Sequence, residues 1–197
     1  MSELSRRDLL QSIALSVTLG GLSPAAAQHV HSVAAEEKTS TGGIYKAKAL
    51  NPHEYQTLEK LADLIVPADE KSPGAVASGA CEFIDLLASQ NPRLLDIYTG
   101  GIGWLDQAMR RRYSTDFVSA KPSQQTAVLD LIAYRKNESA ELGPGILFFD
   151  WARRMVVDAY YTSPAGIKAI GYLGNTSVSK FEVPQEVIDY ALKRSPV

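Results

Sequence analysis

Apolar residues along most of this chain recur at three- and four-residue spacing, and the breaks in the pattern fall at Asn-Pro, Pro and Gly. Between Asn51 and Pro67, the residues Tyr55, Leu58, Leu61, Ala62 and Ile65 share one face of a helix. Asn51 is its N-cap, and Pro52 takes the first helical position, where a missing N–H costs nothing. A second helix carries Val76, Ala80, Phe83, Ile84 and Leu87, and ends before Asn91-Pro92. The third runs from about Pro92 to Tyr113 with Leu94, Ile97, Tyr98, Leu105 and Met109 turned inward. Gly100, Gly101 and Gly103 weaken it by about 1 kcal/mol each relative to alanine, and point to a kink or to close approach of another backbone. A fourth helix spans about Pro122 to Arg135, with Leu129 and Ile132 inward.

The most apolar stretch, Gly145 to Tyr161, holds Phe148, Phe149, Trp151, Ala152, Met155, Val156 and Ala159, and stops at Thr162-Ser163-Pro164. A short helical turn leads to Gly171-Tyr172-Leu173-Gly174-Asn175, and a last helix covers Gln185 to Lys193. No sustained alternation of β-branched residues occurs anywhere. The expectation is an all-α chain: one irregular domain of about five to seven helices over residues 50–197.

The first 27 residues read as an address. Ser5-Arg6-Arg7-Asp8-Leu9-Leu10-Gln11 is a charged start, Ile13 to Leu22 a mild apolar run, and Pro24-Ala25-Ala26-Ala27 a small-residue cleavage site. Arg6 and Arg7 in this setting resemble the twin-arginine signal, which exports proteins already folded. Ser12, Ser16, Thr18, Gly20 and Gly21 keep the run weakly apolar. As a helix it would reach about 15 Å, half a bilayer core. The plainer reading is an amphipathic N-terminal helix capped by Ser5. Cleavage after Ala27 would leave a chain starting at Gln28, and residues 28–49 then read as a polar, flexible arm.

Composition narrows the chemistry. The 197 residues are 45% hydrophobic and 21% charged with a net charge of -2, too balanced for a nucleic-acid or anionic-membrane surface. One cysteine excludes an internal disulfide, and three histidines leave few imidazoles for a metal. Cys81 reads as a small buried residue, His29 and His31 lie in the arm, and His53 sits in a first helical turn. Asp63, Asp69, Glu70, Asp85 and Asp150 are the carboxylates a hydrolase would use, yet helical spacing puts most on solvated faces or loops. Gly100-Gly101-Ile102-Gly103 lacks the preceding strand of a dinucleotide site. Arg110-Arg111-Arg112 suits the negative end of its own helix. No catalytic, cofactor or metal residues stand out.

Three blocks, in order, resemble the gluconate 2-dehydrogenase small-subunit family, the third or gamma subunits of flavin-dependent sugar dehydrogenases. They are Leu61 to Asp69 with Ser72-Pro73-Gly74-Ala75 and Glu82-Phe83-Ile84-Asp85; Phe148-Phe149 leading to Tyr160-Tyr161-Thr162-Ser163-Pro164; and Ile170 to Asn175. The resemblance covers most of the chain from Leu50 to about Asn175. It implies a noncatalytic helical subunit that binds no cofactor itself and pairs with a large flavoprotein of the glucose–methanol–choline type. That partner would hold FAD and choose the sugar, and a separate c-type cytochrome with haem c would take the electrons. Export through the twin-arginine translocase to the periplasm would rest on this chain's signal. Pro73, Gly74, Tyr160, Tyr161, Tyr172 and Asn175 are the expected partner interface, set against a reading in which two of the three tyrosines fill the chain's own core. A free-standing helical adaptor and a hydrolase built on loop carboxylates remain as alternatives.

Overall fold

Asn51 and Asn91 each turn an extended backbone into a helix in the same way. The Asn51 side-chain oxygen accepts from the Glu54 N–H at 3.0 Å while Glu54 returns a bond to the Asn51 N–H, a reciprocal cap. The Asn91 oxygen accepts from the Leu94 N–H at 3.2 Å, and Pro follows both caps. In the computed structural model, residues 6–19, 21–172 and 182–194 are described. Their helices are α1 (Arg6–Leu19), α2 (Pro24–Ser40), α3 (Pro52–Ile65), α4 (Gly74–Ala77), α5 (Ala80–Ala88), α6 (Pro92–Tyr113), α7 (Pro122–Ile132), α8 (Gly143–Thr162), α9 (Pro164–Ala169) and α10 (Gln185–Arg194). A short 3-10 turn, Arg135–Asn137, follows α7. The fold is all-α, with no strand among the described residues.

The middle of the molecule is α5, whose nine residues are all buried. It touches α1, α2, α3, α4, α6 and α8, so no side of it is left for water. The long α8 lies across α5 and α6 and carries α9 at its end. α6 and α8 approach closely at Gly101, where an added Cβ would stand 2.0 Å from the Phe148 ring. α6 runs on without a break, so the glycine makes room for an aromatic side chain, not for a kink or another backbone.

Two differences from the sequence reading matter. The helix expected from Val76 onward is two helices, because Gly79 adopts a left-handed conformation with φ 85° between α4 and α5. The polar arm expected over 28–49 divides. Residues 28–40 continue α2, which Ser23 caps and which buries Ala27, Val30, Val33 and Ala34 against the body. Alanine and valine at helical spacing suffice for this, although no large apolar residue marks the segment. Residues 41–50 then cross without helix to the start of α3. α1 also lies on the body, with Leu10, Ile13, Ala14 and Val17 buried along one face. By contrast, α10 has no buried residue at all. No described helix is long and apolar enough to cross a membrane.

Candidate functional site

The loop between α3 and α4 closes on itself. The Asp69 N–H donates to the Ser72 carbonyl at 2.9 Å, the Lys71 N–H to the Asp69 carboxylate at 2.8 Å, and the Ala75 N–H to the Val66 carbonyl at 2.9 Å. Gly74 is buried with φ 73°, and a Cβ there would stand 2.6 Å from the Ala68 nitrogen, so only glycine fits. Pro73 beside it is exposed.

The junction of α8 and α9 is equally tight. Ser163, fully buried, donates from its hydroxyl to the Tyr160 carbonyl at 2.6 Å and accepts from the Gly166 N–H at 3.0 Å, capping α9. A side chain at Gly166 would strike the Tyr160 carbonyl. The two regions are joined directly, because the Ser72 and Tyr160 hydroxyls hydrogen-bond to each other. Tyr160 is therefore buried and belongs to the core side of this surface, which corrects the expectation that it is an exposed anchor. Its ring meets Tyr161 edge-on at 4.9 Å. Tyr161 is 45% exposed, Ile170 57% and Tyr172 55%. Of the expected interface, Pro73, Tyr161 and Tyr172 face solvent, Gly74 and Tyr160 support them from below, and Asn175 lies outside the described residues. One of the three tyrosines, not two, fills the core.

Behind this edge is a cavity of about 520 Å³ whose lining includes His31, Lys38, Glu82, Thr162, Pro164 and Ile167. His31 Nε2 lies 3.1 Å from the Thr162 hydroxyl, which itself lies 2.6 Å from the Asp158 carbonyl. Burial holds the His31 pKa below its ordinary value, opposed by a backbone hydrogen bond at Ala159 and the charge of Glu82. Lys38 and Glu82 form an ion pair at 2.9 Å.

The groups that could carry chemistry are committed elsewhere. Asp85 is fully buried and its carboxylate accepts four hydrogen bonds: the Tyr45 hydroxyl at 3.0 Å, and the N–H groups of Lys48, Ala49 and Leu50 at 2.7, 3.1 and 2.9 Å. It fastens the 45–50 crossing to α5. Asp106, also buried, receives His53 Nε2 at 2.6 Å and the Phe117 N–H at 3.0 Å, so it ties α3 and the stretch after α6 together. Asp150 stands among Arg135, Arg153 and Arg154 at 3.3 to 3.7 Å. Asp63, Asp69 and Glu70 are exposed. Cys81 is buried, and desolvation pushes its thiol pKa up, away from the reactive thiolate. Among the described residues no three His, Cys, Asp or Glu side chains could hold a metal ion. Gly100, Gly101 and Gly103 lie inside α6, whose first four N–H groups alone lack helical partners, so they offer no phosphate cradle.

Of the export residues, Arg6 opens α1, Arg7 is exposed, and Ala27 is fully buried in the first turn of α2. Spacing alone missed the roles of Ser72 and Ser163, and named Asp85 only as a candidate carboxylate. The Ser-Pro pairs Ser72-Pro73 and Ser163-Pro164 were the available signal for the first two.

Residues 52–179 match the family described as gluconate 2-dehydrogenase subunit 3, a span of more than half the chain. The chain belongs to that family. No curated protein and no solved structure matches it significantly. The matched span opens on Pro52, the first residue of α3, and takes in the 67–75 loop, Tyr160, α9 and Tyr172. The exposed edge thus lies within the matched span, while α1, α2 and α10 lie outside it.

Proposed function

We propose that this chain is the noncatalytic gamma subunit of a periplasmic FAD-dependent sugar dehydrogenase, and that it stabilises the large flavoprotein subunit and carries its twin-arginine export signal. The observation that carries the reading is the family match over 52–179, which includes the rigid edge formed by Pro73, Tyr161, Ile170 and Tyr172. Tyrosine at a braced helix end loses little conformational freedom on binding and brings both apolar area and a polar tip, which is what an interface anchor needs. FAD belongs to the partner in this reading, and a c-type cytochrome is a further subunit. The twin-arginine translocase reads Arg6 and Arg7. The α10 helix supports the same role: Val187, Ile188, Ala191 and Leu192 form an apolar stripe that stands exposed among the described residues.

The test is co-expression with a large flavoprotein subunit of this type lacking its own signal. Tyr161→Ala with Tyr172→Ala is expected to cut co-purification at least about tenfold, as for two central anchors, with unchanged thermal stability. Arg6→Lys with Arg7→Lys is expected to leave both chains in the cytoplasm. Unchanged co-purification, or sugar oxidation by this chain alone, defeats the reading.

A further inference from the structure

The segment that the export reading makes detachable is seated in the fold. Leu10, Ile13, Ala14 and Val17 stand at i, i+3, i+4 and i+7 of α1, and all four are buried, Ala14 completely. Their seat is α5, the helix without a free side. A polar contact sets the position of α1 along its own axis, which apolar contact alone does poorly. Asn91, only 5% exposed, donates from its side-chain Nδ2 to the Ala14 carbonyl at 2.7 Å and to the Thr18 hydroxyl at 3.2 Å. Its oxygen is at the same time the N-cap of α6. One buried side chain thus starts α6 and holds α1.

The bond that cleavage would cut is held as firmly. Ala27 is fully buried, its N–H donates to the Ser23 carbonyl at 2.9 Å, and Val30, Val33 and Ala34 continue the contact beyond it. Proteolysis concentrates at exposed, mobile chain or proceeds through an opened state. The bond between fully buried Ala27 and exposed Gln28 lies inside a capped helix, so its backbone is neither mobile nor extended.

We propose that the folded body binds its own leader as an intramolecular ligand, so that residues 6–27 stay docked and uncut until α1 and α2 open. The docking stands on the contacts of Asn91 and the four apolar residues; only the naming of the segment as a leader rests on the export reading.

The test uses the purified full-length chain. Hydrogen exchange of residues 10–19 is compared with that of a synthetic peptide of residues 1–27, and cutting after Ala27 by a purified type I leader peptidase is timed. Two variants accompany the wild type. Ala14→Phe has no room in the seat yet keeps the leader apolar and the α6 cap intact, and Asn91→Ala removes the polar contact. The expected result is exchange at least about tenfold slower than in the peptide, and cutting at least about tenfold faster in Ala14→Phe, the scale of losing a hydrogen bond or a packed contact. Exchange at the free-peptide rate, or a wild type cut no more slowly than both variants, overturns the proposal. Export is scored separately, by periplasmic fractionation of the wild type and the Arg6→Lys, Arg7→Lys chain. A docked leader on a chain that is never exported removes the export reading and leaves the docking; an exported chain with a freely cut leader does the reverse.

Discussion

The hydroxyl of Ser72 is hydrogen-bonded to the hydroxyl of Tyr160, 88 residues later in the chain, and this contact joins the α3–α4 loop to the last turn of α8. Tyr160→Phe removes it while leaving the ring in place and Ser72 still bonded to the Gly74 N–H. A loss of about 1 kcal/mol in stability is expected, together with weaker capture of the large subunit, because Pro73 and Tyr161 are no longer braced against each other. Urea unfolding and co-purification check the pair. No change in either measurement would remove the bracing role.

Asp85 is the side chain whose neutralisation is expected to cost most. Asn has one acceptor oxygen where four donors converge, and its NH2 would face N–H groups. Asp85→Asn is expected to cost about 3 kcal/mol, the range for broken hydrogen bonds to a buried charge. A denaturation midpoint implying less than about 1 kcal/mol would mean the crossing is held by other contacts.

Gly100 and Gly101 are neighbours on α6 with opposite expectations. Nothing lies within 4 Å of a Cβ at Gly100, which is exposed, so Gly100→Ala is expected to add up to about 1 kcal/mol through helix propensity. Gly101→Ala puts a methyl into the Phe148 ring and is expected to cost about 2 kcal/mol, as overpacking does. Phe148→Leu in the Gly101→Ala background should restore part of the loss. Equal effects at the two glycines would contradict the close approach of α6 and α8.

His31 gives the stability a pH dependence of known sign. Burial depresses its pKa in the folded chain, so the unfolded chain takes up the proton first as pH falls below about 6.5. Above that value His31 is neutral in both states and its contribution is level; below it, stability is lost until the folded pKa is reached. His31→Gln removes this part, so the wild type should lose more in Tm than the variant between about pH 7.5 and about pH 5.5. An equal or larger fall in the variant would show that His31 is not held neutral.

The helices that begin with Asn-Pro, α3 and α6, were legible from sequence to the residue, because cap and first turn are local chemistry. α8 was legible from its apolar density. What escaped has partners far along the chain. Asp85 reads as one of five candidate carboxylates and nothing local gives its role away, since its four donors lie 35 to 40 residues earlier. His53 reads as a surface residue, since Asp106 is 53 positions away. α2 escaped for a different reason: alanine adds little to any hydrophobic pattern, yet where helices meet closely its small side chain fits best. Among the tyrosines of the α8–α9 region, depth was the part that sequence did not show, since Tyr160 is buried and Tyr161 and Tyr172 are exposed. A tyrosine pair in a helix end shows no sign of which ring faces inward, and Ser72 decides that for Tyr160.

The Asp85 clamp also fixes where mechanical tension stops. A pull on the N-terminus meets α1 and then α2 before it reaches Tyr45, Lys48, Ala49 and Leu50. The first two are held by apolar contacts and by polar contacts spread along their length, at Asn91, Thr162 and Glu82, which give way in turn, whereas the third must tear several bonds from one carboxylate together. Residues 6–44 are in this sense a tether of graded strength, and the body from α3 onward is shielded from whatever draws on its free end.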